Sequence, residues 1–365
     1  MPGDPPFPLD EDYKLCPLKP EEVAPFLAKR DFLGLNVTIP YKQTVMPYLD
    51  EISAPARRIG AVNCIVNRNG RLYGYNTDYS GFMEMQKDQN IEVSGRRVAV
   101  LGSGGAAKSC RVALEDMGAS PVLVSRSEKP DAITYDQLYA DEASYACLVN
   151  ATPVGMFPND EESPVDLSRF HKLESCLDVI YNPMRTHLRF DAKQKGLKST
   201  GGLQMLVRQA FAADEFFTGT KMDPAQIQPC LRDLLRRRRN LVLIGMPTSG
   251  KTTVCKLLSI RSGREYVEMD DVLEQRLRMS IRECFDTRGE ADFRSMEAGL
   301  AKELKAGRGC IISTGGGIVK NPDNMRYLSE NGLVLWIDRD PRHLFPSSSR
   351  PLSADREAVQ RLYDE

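Results

Sequence analysis

Residues 241–253 read LVLIGMPTSGKTT. The apolar start predicts a buried strand, and the spacing from Gly245 to Gly250-Lys251-Thr252 is the phosphate-loop pattern G-x-x-x-x-G-K-[ST]. The glycines let backbone N–H groups turn towards a phosphate, Lys251 reaches the outer phosphates, and the Thr252 hydroxyl can bind Mg²⁺. The stretch predicts a nucleoside triphosphate site; the alternative is a glycine-rich turn that happens to carry a lysine. The predicted nucleotide contacts are Gly245, Thr248, Ser249, Gly250, Lys251, Thr252 and Thr253.

Length and composition narrow the class of protein. The chain has 365 residues, enough for two or three domains, and a net charge of -1, which favours neither nucleic acid nor a membrane surface. No apolar run approaches the roughly 18 residues of a spanning helix. The first residues, MPGDPPFPLDEDYK, lack signal-peptide features. The nine cysteines are scattered without C-x-x-C, so we expect reduced thiols, no cysteine metal site and a cytoplasmic protein.

A second glycine-rich loop lies upstream. Residues 97–126 read RVAVLGSGGAAKSCRVALEDMGASPVLVSR, which predicts a strand, a loop, a helix and a parallel strand. Gly102 and Gly104 suit a tight turn and a close approach to a pyrophosphate, and Ala107 stands where a third glycine is common. The predicted dinucleotide contacts are Gly102, Ser103, Gly104, Gly105, Ala106, Ser125, Arg126, Ser127 and Gly202.

The end of the second strand bears on the choice of dinucleotide. Ser125 stands where NAD-binding folds commonly place Asp or Glu against the ribose 2′-OH. Arg126 and Lys129 could instead hold a 2′-phosphate, with Ser125 and Ser127 as donors. The pattern favours NADP over NAD; alternatively, Arg126 points to solvent.

Five motifs in the first 219 residues resemble shikimate dehydrogenase. They are NVTIPYK (36–42), GAVN (60–63), GYNTDYSGF (74–82), NATPVGM (150–156) and GLQML (202–206) with Gln209. In that family a Lys and an Asp flank the reacting carbonyl, and the resemblance assigns these roles to Lys42 and Asp78. A protonated amine can donate a proton to the oxygen as hydride arrives, and a carboxylate can hold the ammonium in place. The resemblance also implies substrate contacts from Thr38, Asn63, Tyr181 and Gln209.

Residues 240–365 resemble shikimate kinase. Beyond the phosphate loop, the motifs are MDD (269–271), GEADFR (289–294) with Glu297, GGG (315–317) and RPL (350–352). The resemblance implies that Asp270 and Arg294 bind substrate hydroxyls and carboxylate, that Asp270 orients the attacking hydroxyl, and that Arg350 is a lid arginine. A guanidinium suits a carboxylate because its N–H groups can pair with both oxygens. The glycines Gly315, Gly316 and Gly317 would bring backbone close to the ring.

The chain departs from both families in places. Cys64 and Ser125 replace a usual Thr and Asn, and Glu268 replaces a usual Asp. The Ser-x-Ser-Pro motif that opens the dehydrogenase family and a second substrate-binding Arg of the kinase family have no counterpart here. We therefore expect the dehydrogenase part to be shortened at its N-terminus and the kinase part at its C-terminus.

These motifs divide the chain into predicted domains. The fold class is α/β: a shikimate dehydrogenase-like substrate domain and a Rossmann NADP-binding domain, followed by a P-loop NTPase-type kinase domain. The predicted bounds are 1–92 for the substrate domain, completed by helices in 203–219, then 93–202 for the Rossmann domain, 220–239 for a linker and 240–365 for the kinase domain. The basic run at 236–239 is interpreted as a solvated helix end, because no aromatic residue is interleaved with it.

The resemblances imply a bifunctional shikimate-pathway enzyme. It would reduce 3-dehydroshikimate with NADPH and phosphorylate shikimate with ATP and Mg²⁺, with no nucleic-acid or membrane partner; its oligomeric state is left open. One alternative is an NAD-dependent quinate or shikimate dehydrogenase with a non-functional kinase remnant. Another is a catalytically impaired nucleotide-binding fragment.

Overall fold

The computed structural model describes residues 13–88, 90–345 and 355–364. The chain divides into two compact units, Met1–Arg232 and Asp233–Glu365, and the division falls within one helix, Ile227–Arg238. This helix ends in the basic run, as the sequence predicts, and buries Ile227 and Leu231.

The first sheet of unit 1 has the described strand order β1-β3-β4-β2. Its elements are α1 (Pro20–Lys29), β1 (Gly34–Asn36), β2 (Glu51–Ile52), α2 (Ala54–Ile59), β3 (Cys64–Arg68), β4 (Arg71–Tyr75) and α3 (Thr77–Asp88). β3 and β4 form an antiparallel hairpin whose turn residues, Asn69 and Gly70, both have positive φ. Asn-Gly favours this turn because both residues tolerate the left-handed region.

The second sheet of unit 1 is parallel, with the described order β10-β9-β8-β5-β6-β7. Its elements are β5 (Arg97–Leu101), α4 (Gly105–Asp116), β6 (Ser120–Ser125), β7 (Ala132–Thr134), α5 (Tyr135–Ala140), β8 (Cys147–Asn150), β9 (Ser175–Asp178), α6 (His187–Gln194), β10 (Lys198–Thr200) and α7 (Leu203–Thr218). The strand order reverses between β5 and β8. That crevice, beyond the carboxyl ends of the strands, is where doubly wound folds bind dinucleotides. The predicted Rossmann fold is confirmed.

Helices α3 and α7 pack closely at one glycine. A Cβ on Gly81 of α3 would lie 2.7 Å from the carbonyl oxygen of Met205 and 3.1 Å from Cβ of Gln209, both on α7. A larger residue would push the helices apart, since real Cβ atoms do not approach so closely. Gly81 therefore fixes how near Gln209 lies to the start of α3.

Unit 2 has a parallel sheet with the described order β12-β13-β11-β14. Its elements are the C-terminal part of α8 (Ile227–Arg238), then β11 (Asn240–Gly245), α9 (Lys251–Ser262), β12 (Tyr266–Glu268), α10 (Met269–Leu277), α11 (Ile281–Arg288), α12 (Glu290–Leu304), β13 (Ile311–Ser313), α13 (Pro322–Glu330), β14 (Gly332–Ile337) and α14 (Arg356–Asp364). Val242 of β11 packs with α10, α12 and α13, whereas its neighbour Leu243 packs with Cys255 of α9. Alternate strand residues thus build two cores, giving three layers.

Among the described residues, no helix is both long and apolar enough to span a bilayer.

Candidate functional sites

Lys42 and Asp78 form an ion pair in unit 1. Lys42 Nζ lies 2.7 Å from Asp78 Oδ2, and the two side chains are 26% and 15% exposed. The Lys42 carbonyl accepts a hydrogen bond from the N–H of Val62, which holds its loop against the sheet. Asp78 lies in the first turn of α3, where the helix dipole favours a carboxylate. The fold thus brings the two residues together from separate motifs; their catalytic roles stay a prediction.

Thr77 joins two of the predicted substrate residues. Its backbone N–H donates to Asn63 Oδ1 at 2.7 Å, and its hydroxyl lies 3.1 Å from Gln209 Oε1 and 3.3 Å from Asn63 Oδ1. Because an N–H can donate only to oxygen, the Asn63 amide has a fixed orientation. Asn76 caps α3 by accepting from the N–H of Tyr79. Asn63, Thr77 and Gln209 therefore converge beside Asp78, and Thr77 is a member that the sequence analysis missed.

Two other predicted substrate residues lie on exposed chain. Thr38 is exposed in the loop after β1, and its carbonyl accepts from the N–H of Tyr41 at 2.9 Å. Tyr181 follows β9 and is 49% exposed. Within residues 13–88 and 90–345, no hydrogen bond joins either side chain to Lys42 or Asp78. Their contribution to a substrate site stays a prediction.

The glycine-rich loop after β5 has the geometry that a close approach requires. Gly102 has φ +112°, and a Cβ there would lie 3.0 Å from the carbonyl oxygen of Ala151. Gly104 is the N-cap of α4, so Gly105 and Ala106 begin the helix whose N-terminus can face an anion. Lys129 Nζ donates to Ser103 Oγ at 2.7 Å and so links this loop to the segment after β6.

The segment after β6, residues 126–131, is exposed and carries Arg126 and Lys129 together with two carboxylates. Ser125 is buried, whereas Arg126 and Ser127 are exposed. A surface cavity of about 390 Å³ lies beside it. The cavity is lined by Glu128, Lys129, Pro130, Ala132, Thr134 and Gln137. Gly202 follows β10, at the opposite edge of this sheet from β7, and comes just before α7.

The buried carboxylate of Asp178 links the carboxyl ends of β8 and β9. Asp178 accepts hydrogen bonds from Asn150 Nδ2 at 3.1 Å, the N–H of Ile180 at 3.0 Å and the Thr186 hydroxyl at 2.5 Å. Burial raises the pKa of Asp178 to about 6, and these donors oppose that rise. Asn150 Oδ1 in turn accepts from Thr152, so the NAT motif is tied to the strand ends. This network shapes the crevice without supplying an exposed reactive group.

The phosphate loop of unit 2 connects β11 to α9. Gly245, Thr248 and Gly250 have positive φ, and Lys251 begins the helix. Lys251 Nζ donates to the carbonyls of Gly245 and Met246 at 2.8 and 2.9 Å, so its ammonium lies inside the loop. The Thr248 hydroxyl contacts the backbone of Phe345, Ser249 is buried and Thr253 is exposed.

Thr252 lies against a pair of side chains from β12. Its hydroxyl donates to Glu268 Oε2 at 2.8 Å, and the Tyr266 hydroxyl donates to the same oxygen at 2.5 Å. Glu268 is 9% exposed. Tyr266 was missed at the sequence level, although its position two residues before Glu268 on a strand places both side chains on one face.

The triple glycine lies beside the other predicted kinase residues. A Cβ on Gly315 would lie 2.9 Å from Asp270 Oδ1, and one on Gly316 would lie 2.6 Å from Cδ of Pro247 in the phosphate loop. A Cβ on Gly317 would collide with the Arg294 guanidinium. The absence of side chains at these positions therefore lets the loop fit between Asp270, Arg294 and the phosphate loop.

Arg294 is held by two carboxylates of its own helix. Its guanidinium lies 2.7 Å from Glu297 Oε2 and 3.1 Å from Glu290 Oε1. Glu297 is 1% exposed, and burial raises its pKa although Arg294 opposes the rise. A substrate carboxylate must therefore share or replace these partners. Arg350, the predicted lid arginine, lies outside the described residues.

The fold and these sites define an oxidoreductase with a dinucleotide-binding fold joined to a phosphate-loop kinase. Comparisons with known proteins agree. Residues 9–65 match the family model for the shikimate dehydrogenase substrate binding domain, and residues 247–365 match the one for shikimate kinase.

Individual relatives extend the first match. A shikimate dehydrogenase (NADP(+)) of Clostridium perfringens (strain SM101 / Type A) is 42% identical over 201 residues, which cover 52% of this chain and 74% of that protein. Shikimate dehydrogenase 1 from Peptoclostridium difficile is similar in structure, with a TM-score of 0.54, 38% identity, and coverage of 60% of this chain and 84% of that one. Shikimate 5-dehydrogenase from Thermus thermophilus, solved with NADP(H) and shikimate, gives a TM-score of 0.52 at 32% identity, covering 59% of this chain and 83% of that one.

The chain belongs to the shikimate dehydrogenase family and carries a shikimate kinase domain after it.

Proposed function

We propose that this protein catalyses two consecutive steps: the NADPH-dependent reduction of 3-dehydroshikimate to shikimate, and the ATP-dependent phosphorylation of shikimate to shikimate 3-phosphate. The observation that carries the first step is the Lys42–Asp78 ion pair at 2.7 Å, beside polar groups from two further motifs. The observation that carries the second is the triple glycine, which lies between the phosphate loop and the side chains of Asp270 and Arg294.

In the first step Lys42 is the proton donor. NADPH, when bound, supplies the hydride, and negative charge then develops on the carbonyl oxygen of the substrate. The Lys42 ammonium donates its proton to that oxygen as the charge forms. Asp78 stabilises the ammonium and fixes its direction. Because Lys42 is 26% exposed, water can return the proton after turnover.

Asn63 and Gln209 position the ring hydroxyls in this proposal. The Asn63 oxygen is occupied by the Thr77 N–H, so its amide NH₂ is left to donate to a substrate hydroxyl. Thr77 fixes Gln209 at the same place. Thr38 and Tyr181 would complete the contacts from the exposed side. Neutral polar groups suit a polyol acid because each hydroxyl needs a placed donor or acceptor.

The dinucleotide is NADP in this proposal, on two grounds. The relative from Clostridium perfringens carries NADP(+) in its name. The segment after β6 also offers exposed Arg126, and Lys129 lies 2.7 Å from the glycine-rich loop. One cation at the glycine-rich loop and a second on the same segment suit a ribose that bears a 2′-phosphate.

In the second step the phosphate loop binds ATP. Lys251 leaves the carbonyls of Gly245 and Met246 for the outer phosphates, and Asp270 orients the attacking hydroxyl. Arg294 binds the substrate carboxylate. Arg350 would stabilise the charge on the transferring phosphoryl group.

The kinase site also fits Mg²⁺. A hydroxyl and a buried carboxylate, Thr252 and Glu268, lie 2.8 Å apart at the start of α9. The Thr252 oxygen is of the kind that Mg²⁺ takes as a ligand beside nucleotide phosphates, whose charge the metal screens, and Glu268 would hold the Thr252 hydroxyl in place.

Two assays on one preparation test the proposal. NADPH oxidation with 3-dehydroshikimate reports the first step, and ADP formation with shikimate reports the second. We expect Lys42→Ala to lower the first activity strongly and leave the second unchanged, and Lys251→Ala to do the reverse. If neither substrate is turned over by the unmodified protein, or if both variants lose both activities while remaining folded, the proposal is wrong.

A further inference from the structure

Tyr266 of β12 contacts Glu268, which in turn holds Thr252, the predicted metal ligand. One carboxylate oxygen, Glu268 Oε2, accepts from the Tyr266 hydroxyl at 2.5 Å and from the Thr252 hydroxyl at 2.8 Å. Glu268 is the last residue of β12 and pairs in register with Ser313 of β13. The Glu268 carboxylate therefore links β12 to the first turn of α9.

The direction of these hydrogen bonds matters for metal binding. A hydroxyl has one proton and two lone pairs. Because Thr252 gives its proton to Glu268, both lone pairs of Thr252 Oγ1 stay available for a cation. A carboxylate that swung away would free the proton, and the hydroxyl could then turn it towards the metal position. The position of the Glu268 carboxylate thus controls whether Thr252 can act as a ligand.

A glutamate at this position needs a second contact. Its side chain has one more rotatable bond than the aspartate that is usual in the kinase family, so it has more conformations to lose. The Tyr266 hydroxyl supplies that contact from the same strand face, and the site is buried enough that Glu268 is 9% exposed. A phenylalanine would fill the same space but could not hold the carboxylate.

We propose that Tyr266 is a positioning residue for Mg²⁺ binding in the kinase domain: it holds Glu268 so that Thr252 presents its oxygen to the metal. This inference rests on the proposed use of ATP with Mg²⁺. It concerns metal binding and is measurable without turnover.

Calorimetric titration of the full chain with ADP, in the presence of Mg²⁺ or of EDTA, tests it. We expect Tyr266→Phe to reduce the gain in ADP affinity that Mg²⁺ provides by about tenfold, the usual scale for loss of an outer-shell partner. ADP affinity in EDTA should not change, because the phosphate loop itself is intact. Tyr327→Phe is the matched control, since its ring packs in the other core of the same domain; it should leave both affinities unchanged.

A double-variant comparison separates positioning from packing. Glu268→Asp alone should reduce the Mg²⁺-dependent gain, because the shorter carboxylate cannot reach both hydroxyls. Adding Tyr266→Phe to Glu268→Asp should cost no more, since groups that act together are not additive. Fully additive losses, an equal loss in EDTA, or a Tyr266→Phe protein with the unmodified gain would each overturn the inference alone. If Mg²⁺ does not change the ADP affinity of the unmodified protein, the proposed use of Mg²⁺ is wrong as well.

Discussion

The two candidate sites satisfy their polar groups in different ways. In the dehydrogenase unit, predicted site residues contact one another: Lys42 pairs with Asp78, and Thr77 links Asn63 to Gln209. In the kinase unit, the cations are held by groups that a substrate must replace. Lys251 lies on its own loop carbonyls.

The difference teaches what binding requires at each site. A site whose groups already have their working geometry spends little binding free energy on rearrangement. A site whose groups are hydrogen-bonded elsewhere must first break those contacts, which lowers the net affinity. We infer that the dehydrogenase site is largely preorganised and that the kinase site exchanges partners when its substrates arrive. Arg294, held between Glu290 and Glu297, is the clearest case.

The largest expected effect tests the preorganised site. Lys42→Ala should lower kcat for NADPH oxidation by about 10²-fold or more, the scale of general acid loss. Lys87→Ala, which removes an exposed ion pair with Glu84 on the same helix as Asp78, is the control and should keep full activity. An unchanged kcat in Lys42→Ala would show that the pair is structural.

The next effect concerns Asp178, a buried carboxylate that accepts from an amide, a backbone N–H and a hydroxyl. Burial raises the pKa of Asp178 to about 6 in the folded state, above its ordinary value of 3.8. The folded state therefore holds the proton more tightly, and this stabilisation is present below 3.8 and lost as pH rises through about 6. At 1.36 kcal/mol per pKa unit, the loss is about 3 kcal/mol.

Asp178→Asn should remove that pH dependence. Hydrogen exchange of the β8 and β9 amides, measured in both proteins across this pH range, gives the opening free energy of the region. Trp336, the one tryptophan of the chain, lies in the kinase unit, so its fluorescence serves as a control for that unit. Equal pH slopes in the two proteins would mean that the hydrogen-bond donors keep Asp178 ionised throughout.

The expected effect of Arg126 on NADPH affinity is slightly smaller. Arg126→Ala should weaken NADPH binding by about 10- to 150-fold, because a charge-assisted hydrogen bond contributes about 1.5–3 kcal/mol. NADH binding should change little. Arg96→Ala, which removes an exposed pair with Glu174 in the same fold, is the control. Equal losses for NADPH and NADH would show that Arg126 has a structural role.

The smallest expected effect tests partner exchange in the kinase. Glu290→Gln removes one of the carboxylates that hold Arg294, an exposed pair of a kind that contributes about 0.2–1 kcal/mol. The KM for shikimate should therefore fall by about 1.5- to 5-fold, with kcat unchanged. Asp292→Asn, in the same helical turn, is the control and should not alter KM. A rise in KM would mean that Glu290 positions Arg294 for the substrate.

Much of the fold and of both candidate sites could be predicted from the sequence, because glycine-rich loops and buried strands leave local sequence patterns. The phosphate loop, the loop at Gly102 and the strands on either side of the helix that follows Gly102 lie where the patterns predict them. The family resemblance pointed to Lys42 and Asp78, and the fold supplies the contact that no spacing could show.

The missed features depend on tertiary contacts. Thr77 reaches Gln209 only because Gly81 lets α7 approach α3. Tyr266 matters only because Glu268 meets Thr252 from another element. Arg294 was predicted as a cation that binds substrate, and helical spacing also places Glu290 and Glu297 within its reach. The domain bounds stay a prediction: α8 occupies most of the expected linker at 220–239.

The most direct test of the account supplies 3-dehydroshikimate, NADPH and ATP with Mg²⁺ to one protein sample and identifies the products by mass spectrometry. The unmodified chain should form shikimate 3-phosphate. Lys42→Ala should form shikimate and its phosphate from 3-dehydroshikimate at least about 10²-fold more slowly, yet phosphorylate added shikimate at the unmodified rate. Shikimate 3-phosphate formed from 3-dehydroshikimate by Lys42→Ala at the unmodified rate, or no reduction by the unmodified chain, would contradict the central claim.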